Sequence, residues 1–216
     1  MKLLLLAFIL GTVASLWAEG FREVSFLASD GGRVTANLYG SGERGVVLAH
    51  GAVFNKESWD PLARTLAGDG LQVLAIDFRG YGDSKAGSEG RALYLDVLAA
   101  VRYLKQHGAG SVSVLGGSMG GRAAAMAAIE SKPGELDRLI LLAPPPVSEP
   151  GKIKGNKLFV VSAGDGLAAG VKKQYAAAPE PKRLVVLEGS AHAQHIFKTP
   201  HGAELERLIR DFLGGR

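Results

Sequence analysis

Val112-Ser113-Val114-Leu115-Gly116-Gly117-Ser118-Met119-Gly120-Gly121 passes from a short apolar run into glycines around one serine, and an Ala-rich stretch, Ala123 to Ile129, follows. The pentapeptide Gly116 to Gly120 fits G-x-S-x-G, in which a sharp strand-to-helix turn lifts the serine hydroxyl clear of a sheet edge. Gly116 and Gly120 are expected to serve that geometry rather than the chemistry. Five residues alone carry little weight in a Gly-rich chain; a buried-strand pattern before them and a helix after them are the context the motif requires. The same glycines form neither a P-loop, which needs Lys and Ser/Thr, nor G-x-G-x-x-G, so nucleotide-phosphate binding is not supported.

Outward from this turn, the chain alternates between two patterns. From Glu23 to Tyr39, Val24 and Phe26, then Val34, Ala36 and Leu38, fall on one phase on either side of Ser29-Asp30-Gly31-Gly32, which predicts an antiparallel hairpin. Short apolar runs follow: Val46 to Leu48, Val73 to Ile76, Val112 to Leu115, Leu139 to Ala143, Leu158 to Ser162 and Leu184 to Leu187. They are expected to be strands buried on both faces. Helical spacing appears between them at Trp59, Leu62 and Leu66, at Leu93, Val97, Val101 and Leu104, in the Ala-rich stretch, and at Leu205, Leu208, Ile209 and Phe212. This alternation predicts an α/β fold, a mainly parallel sheet with helices on both faces, whose ligands gather beyond the carboxyl ends of the strands. Five polar or Gly-rich segments fall there: His50-Gly51, Asp77 to Gly80, Gly117-Ser118, Gly164-Asp165 and Gly189 to His192.

The chain has 216 residues, 47% of them hydrophobic, which suits one domain with a continuous core. Its net charge of +4 comes from dispersed Lys and Arg. The densest cluster, Lys152, Lys154 and Lys157, reads as a solvated loop, so no nucleic-acid partner is expected. Residues 1–18 have a signal-peptide layout: Lys2, an apolar run from Leu3 to Leu10, then a more polar stretch to Ala18. Cleavage after Ala18 competes with cleavage after Ser15. The apolar run is shorter than the roughly 20 residues a bilayer span takes, which favours removal over the alternative of an uncleaved anchor, and no stable membrane span is expected once the signal is removed. The expectation is an exported protein, periplasmic or secreted, with its domain over residues 19–216. The absence of cysteine is compatible with export but excludes disulfides and a lipid-bearing cysteine. Oligomeric state is left open.

The region from about Glu23 to Arg216 resembles the α/β-hydrolase superfamily, in its compact esterase and dienelactone-hydrolase-like branch. The resemblance implies a nucleophile, an acid and a histidine in that chain order, and Ser118, Asp165 and His192 match it, each just after a strand. A serine hydroxyl needs an imidazole to take its proton, and the imidazole needs a carboxylate on its other nitrogen. The resemblance also implies an oxyanion hole formed by the backbone N–H groups of Met119 and Ala52, with Val53 as the alternative second donor. No cofactor and no metal are implied.

Other readings of these residues remain. His195 lies three residues from His192 and could replace it or share a metal with it, although no H-E-x-x-H pattern accompanies the pair. Glu149 competes with Asp165, which follows its strand more closely. His50 is expected to brace the oxyanion turn, His107 to end a helix and His201 to lead into the last one. The loop Asp77-Phe78-Arg79-Gly80-Tyr81-Gly82-Asp83-Ser84 is expected to be structural, and Trp59, Leu62 and Leu66 to be core.

Family members commonly carry a helical cap after the sixth strand, but here only Pro144 to Lys157 is available, too short for one. An open site is expected, bordered by Ala52, by Val53 and Phe54 as substrate contacts, by Pro144 to Pro146, and by Ile196 and Phe197. The implied activity is hydrolysis of a small carboxylic ester or related acyl bond through an acyl-enzyme on Ser118. The alternatives are an acyltransferase or cofactor-free perhydrolase with the same three residues, and a catalytically silent binding protein of this fold.

Overall fold

A computed structural model describes residues 20–215; the expected signal segment lies outside them. Eight strands form one sheet: β1 (Arg22–Leu27), β2 (Arg33–Tyr39), β3 (Arg44–Ala49), β4 (Gln72–Ile76), β5 (Ser111–Gly117), β6 (Arg138–Leu142), β7 (Asn156–Ser162) and β8 (Lys182–Leu187). Their spatial order is β1-β2-β4-β3-β5-β6-β7-β8. The β1–β2 hairpin joins β4 antiparallel, and every pair from β4 through β8 is parallel. The helices are α1 (Asp60–Gly68), α2 (Leu93–Gln106), α3 (Met119–Glu130), α4 (Ala168–Ala177) and α5 (Gly202–Gly214).

Val46 to Ala49, Gln72 to Ile76 and Leu139 to Leu142 are buried throughout, so both faces of the central strands select apolar side chains. β8 departs from the expectation of two buried faces. It is the last strand, paired on one side only, and Val186 is 42% exposed. α4 has no counterpart in the expected helices, because it buries only Ala168, Val171 and Gln174, too few large apolar residues to print a helical period.

The basic cluster is not the solvated loop its sequence suggested. Lys157 belongs to β7 and is 1% exposed, donating to the Gly155 carbonyl, and burial pushes its ammonium pKa down. Lys154 reaches back to the carbonyls of Ile129 and Ser131 at the end of α3, where a cation complements the helix dipole. Lys152 alone stays in solvent, paired with Glu149. Between β6 and β7 the described chain holds only a short 3₁₀ turn, Pro150–Lys152, and no cap.

Candidate active site

β5 runs directly into Ser118 and α3 begins at Met119, so the serine occupies the turn itself. Its backbone sits at φ 50° and ψ −115°, a region that non-glycine residues rarely adopt and that costs about 1–3 kcal/mol. The strain is held from both sides: Ser118 N–H donates to Leu142 O at 2.8 Å, and Arg122 N–H donates to Ser118 O at 3.0 Å. A Cβ on Gly116 would meet Gly120 O at 2.3 Å, and one on Gly120 would meet Ala49 O at 2.2 Å. The flanking glycines thus let α3 lie directly against the ends of β3 and β5.

Asp165 and His192 arrive from the ends of β7 and β8. Ser118 Oγ stands 2.7 Å from His192 Nε2, and His192 Nδ1 stands 2.8 Å from Asp165 Oδ2. The carboxylate only accepts, so Nδ1 carries the ring proton and leaves Nε2 to accept from the serine hydroxyl. Asp165 is 8% exposed, and its other oxygen accepts the Leu167 N–H at 2.8 Å. Ser162 Oγ, at the end of β7, donates to Ala191 O at 2.7 Å and ties the histidine's loop to the aspartate's strand. Ala193, next to the histidine, is also held at positive φ, 47°.

The competing side chains lie elsewhere. His195 is exposed, its ring 5.0 Å from that of Phe54, and Glu149 pairs with Lys152 at the surface. His107 caps the end of α2 and bonds Tyr103 O, while His201 precedes α5 and pairs with Glu204. Among the described residues, no three His, Asp or Glu side chains gather where they could hold a metal ion.

The turn after β3 faces the serine's turn. Its Gly51 carbonyl accepts from Phe54 N–H at 3.0 Å and from His50 Nδ1 at 2.8 Å. His50 Nε2 accepts the Phe78 N–H at 3.2 Å, which leaves Nδ1 as the donor. The ring is fully buried, and burial pushes its pKa below the ordinary value of 6.5. A planar trans peptide with its carbonyl pinned in this way points the Ala52 N–H in the opposite direction. The Ala52 carbonyl accepts from Tyr81 Oη at 2.9 Å, and the Tyr81 ring packs edge-on to His50 with centroids 4.7 Å apart. The N–H groups of Ala52, Val53 and Met119 have no acceptor among the described residues. Gln194, buried at 5%, accepts the Gly51 N–H on Oε1 at 2.7 Å.

Asp77 and Arg79 brace the framework. Asp77 accepts from Lys56 N–H at 2.8 Å and from Lys56 Nζ at 2.9 Å. Arg79 bonds Asp96 and Asp30, each at 2.7 Å. The guanidinium holds the Asp30 carboxyl down at about 2.

The His192 side chain beside the serine is 38% exposed, and Val53 in the turn after β3 is 80% exposed, so this rim faces solvent. Phe54 borders a cavity of about 430 Å³ with Trp59, Leu62, Gln194 and Phe197, so two of the expected core residues also form a cavity wall. Two further depressions, of about 540 and 250 Å³, share Arg91, Leu93 and Met119 in their walls. Ile196 does not border the site: it is 1% exposed, turned into the core by the 3₁₀ turn Ala193–Lys198. Of the Pro144 to Pro146 turn, Pro146 reaches solvent and Pro144 is buried. Gln194 and Tyr81 escaped the sequence reading. Tyr81 stood inside a loop set aside as structural, and Gln194 is a glutamine in a largely apolar run two residues after His192.

A mainly parallel sheet carrying a serine on a strained strand-to-helix turn, with an aspartate and a histidine bonded to it from later strand ends, defines the α/β-hydrolase class. The family model for the alpha/beta hydrolase fold matches residues 45–162, more than half of the chain, and the chain belongs to that family. No protein of curated function matches the sequence. Among solved structures, an esterase of Pyrococcus furiosus is 21% identical with a TM-score of 0.74, covering 90% of this chain and 89% of its own. A CIB-like hydrolase of Thermoplasma acidophilum is 27% identical with a TM-score of 0.73, covering 91% and 100%. A dienelactone hydrolase of Anabaena variabilis is 22% identical with a TM-score of 0.71, covering 88% and 95%.

Proposed function

We propose that the protein is a serine hydrolase that cleaves a small carboxylic ester or related acyl bond through an acyl-enzyme on Ser118. The observation that carries this reading is the continuous hydrogen-bonded line from Asp165 through His192 to Ser118 Oγ. Ser118 Oγ attacks the acyl carbon as its proton passes to His192 Nε2, and Asp165 stabilises the imidazolium so formed. The carbonyl oxygen takes negative charge, which the N–H groups of Met119 and of Ala52 receive, each such donor lowering the barrier by about 3 kcal/mol. His192 returns the proton to the departing alcohol. Water then attacks the acyl-enzyme, gives a proton to His192 and releases the acid, restoring the Ser118 hydroxyl. No step draws on a cofactor.

Val53 and Phe54 contact the substrate at the rim, and the uncapped surface favours short or protruding acyl groups. The protein is exported, a reading that rests on residues 1–18 alone. A panel of p-nitrophenyl esters of increasing chain length tests the reaction, with product analysis under competing alcohol, amine or peroxide to identify the acceptor. Turnover is expected to be highest for the shortest esters, and Ser118→Ala is expected to lower kcat by roughly a thousandfold or more. Equal turnover by wild type and Ser118→Ala would exclude the acyl-serine route.

A further inference from the structure

We propose that Gln194 is a positioning residue that holds the oxyanion turn in register with the serine and the histidine. Gln194 touches three of the strand-end segments at once. It follows His192 in the chain, accepts the Gly51 N–H at 2.7 Å, and packs so closely beside the serine's turn that a Cβ on Gly117 would lie 3.1 Å from its Cγ.

Its amide is oriented by hydrogen-bond polarity. Ser58 donates its hydroxyl proton to Asn55 O at 2.5 Å, so the Ser58 oxygen is left to accept from Gln194 Nε2 at 3.0 Å. With the NH₂ committed to Ser58, Oε1 faces Gly51. Gly51 has no side chain to restrict its backbone. Gln194 ties its N–H while His50 and Phe54 tie its carbonyl, which leaves the following Ala52 N–H one direction. Stabilisation of a developing oxyanion depends on donors placed within a few tenths of an ångström. Loosening Gly51 therefore weakens transition-state binding more than ground-state binding.

The kinetic half of this inference rests on the serine-hydrolase reading; the structural half does not. Two variants separate the roles: Gln194→Met keeps the chain length and removes both hydrogen bonds, whereas Gln194→Glu keeps an acceptor for Gly51. In wild type the Gly51 amide is expected to be protected from hydrogen exchange, and in Gln194→Met to exchange at least about tenfold faster. For a short ester, Gln194→Met is expected to lower kcat about 10- to 100-fold with KM changed less than about twofold, and Gln194→Glu to recover most of the loss. Should Gln194→Met fail to fold, Ser58→Ala, which releases the amide orientation, is expected to show the same changes in smaller degree.

Unchanged Gly51 protection in Gln194→Met would overturn the clamp. Faster exchange with wild-type kcat, or a loss confined to KM, would overturn the positioning role. A wild type that hydrolyses no ester would refute the serine-hydrolase reading instead, and the exchange comparison would still decide the clamp.

Discussion

His50 and His192 both donate through Nδ1, one to the Gly51 carbonyl and the other to Asp165, and the protons fix what each Nε2 can do. For His50 the consequence is a dependence on pH. Burial lowers its folded-state pKa below the ordinary 6.5. As pH falls, the unfolded chain therefore takes up this proton first. The contribution to stability is complete above about pH 6.5 and is lost as pH falls through the folded value. An NMR titration of the ring is expected to place the His50 midpoint below 6.5; a midpoint at or above 6.5 would contradict its burial. At this scale the strand-end positions of Ser118, Asp165 and His192 were legible from the apolar runs that precede them, while their pairing as nucleophile, histidine and acid came from the family resemblance. Gln194 was not, because its partner Gly51 lies 143 residues away and a glutamine has no local signature.

The strand-to-helix turn is the element on which the site depends, and its strain is measurable. Replacing Gly120 by Ala drives a Cβ into Ala49 O and His50 O, and is expected to destabilise the protein by about 1–3 kcal/mol in denaturant unfolding. Ser118→Gly relieves the positive φ that Ser118→Ala retains, so the glycine variant is expected to be the more stable of the two by about 1 kcal/mol. Equal stability would mean that the turn carries no strain. The turn, hairpin and central strands were legible because burial on both faces, or alternation on one, prints directly into sequence. α4 and the exposed side of β8 were not, since an Ala- and Lys-rich helix lacks a strong apolar stripe and an edge strand can be as apolar as a central one.

Across the whole molecule, Arg79 joins the β1–β2 turn through Asp30 to α2 through Asp96, with all three side chains at most 3% exposed. Arg79→Leu leaves two buried carboxylates without their cation and is expected to cost about 3–5 kcal/mol. Because Asp30 is held at about 2, its contribution is present above its ordinary 3.8 and is lost as pH falls from about 4 towards 2. Burial pushes Asp96 the opposite way, so acid loss of this joint follows Asp30. An acid-unfolding profile unchanged by Asp30→Asn would contradict that assignment. The loop's structural role was legible, but its partners and the strand order β1-β2-β4-β3-β5-β6-β7-β8 depend on crossovers that no local pattern records. Folding brings Ser118, Asp165 and His192 from three strand ends into one hydrogen-bonded line, and their joint action is the central claim. The most direct measurement is intact-mass and peptide mapping after exposure to a fluorophosphonate. The account predicts a single adduct on Ser118, lost in Ser118→Ala and strongly slowed in His192→Ala; a folded wild type that stays unlabelled, or labels elsewhere, would contradict it.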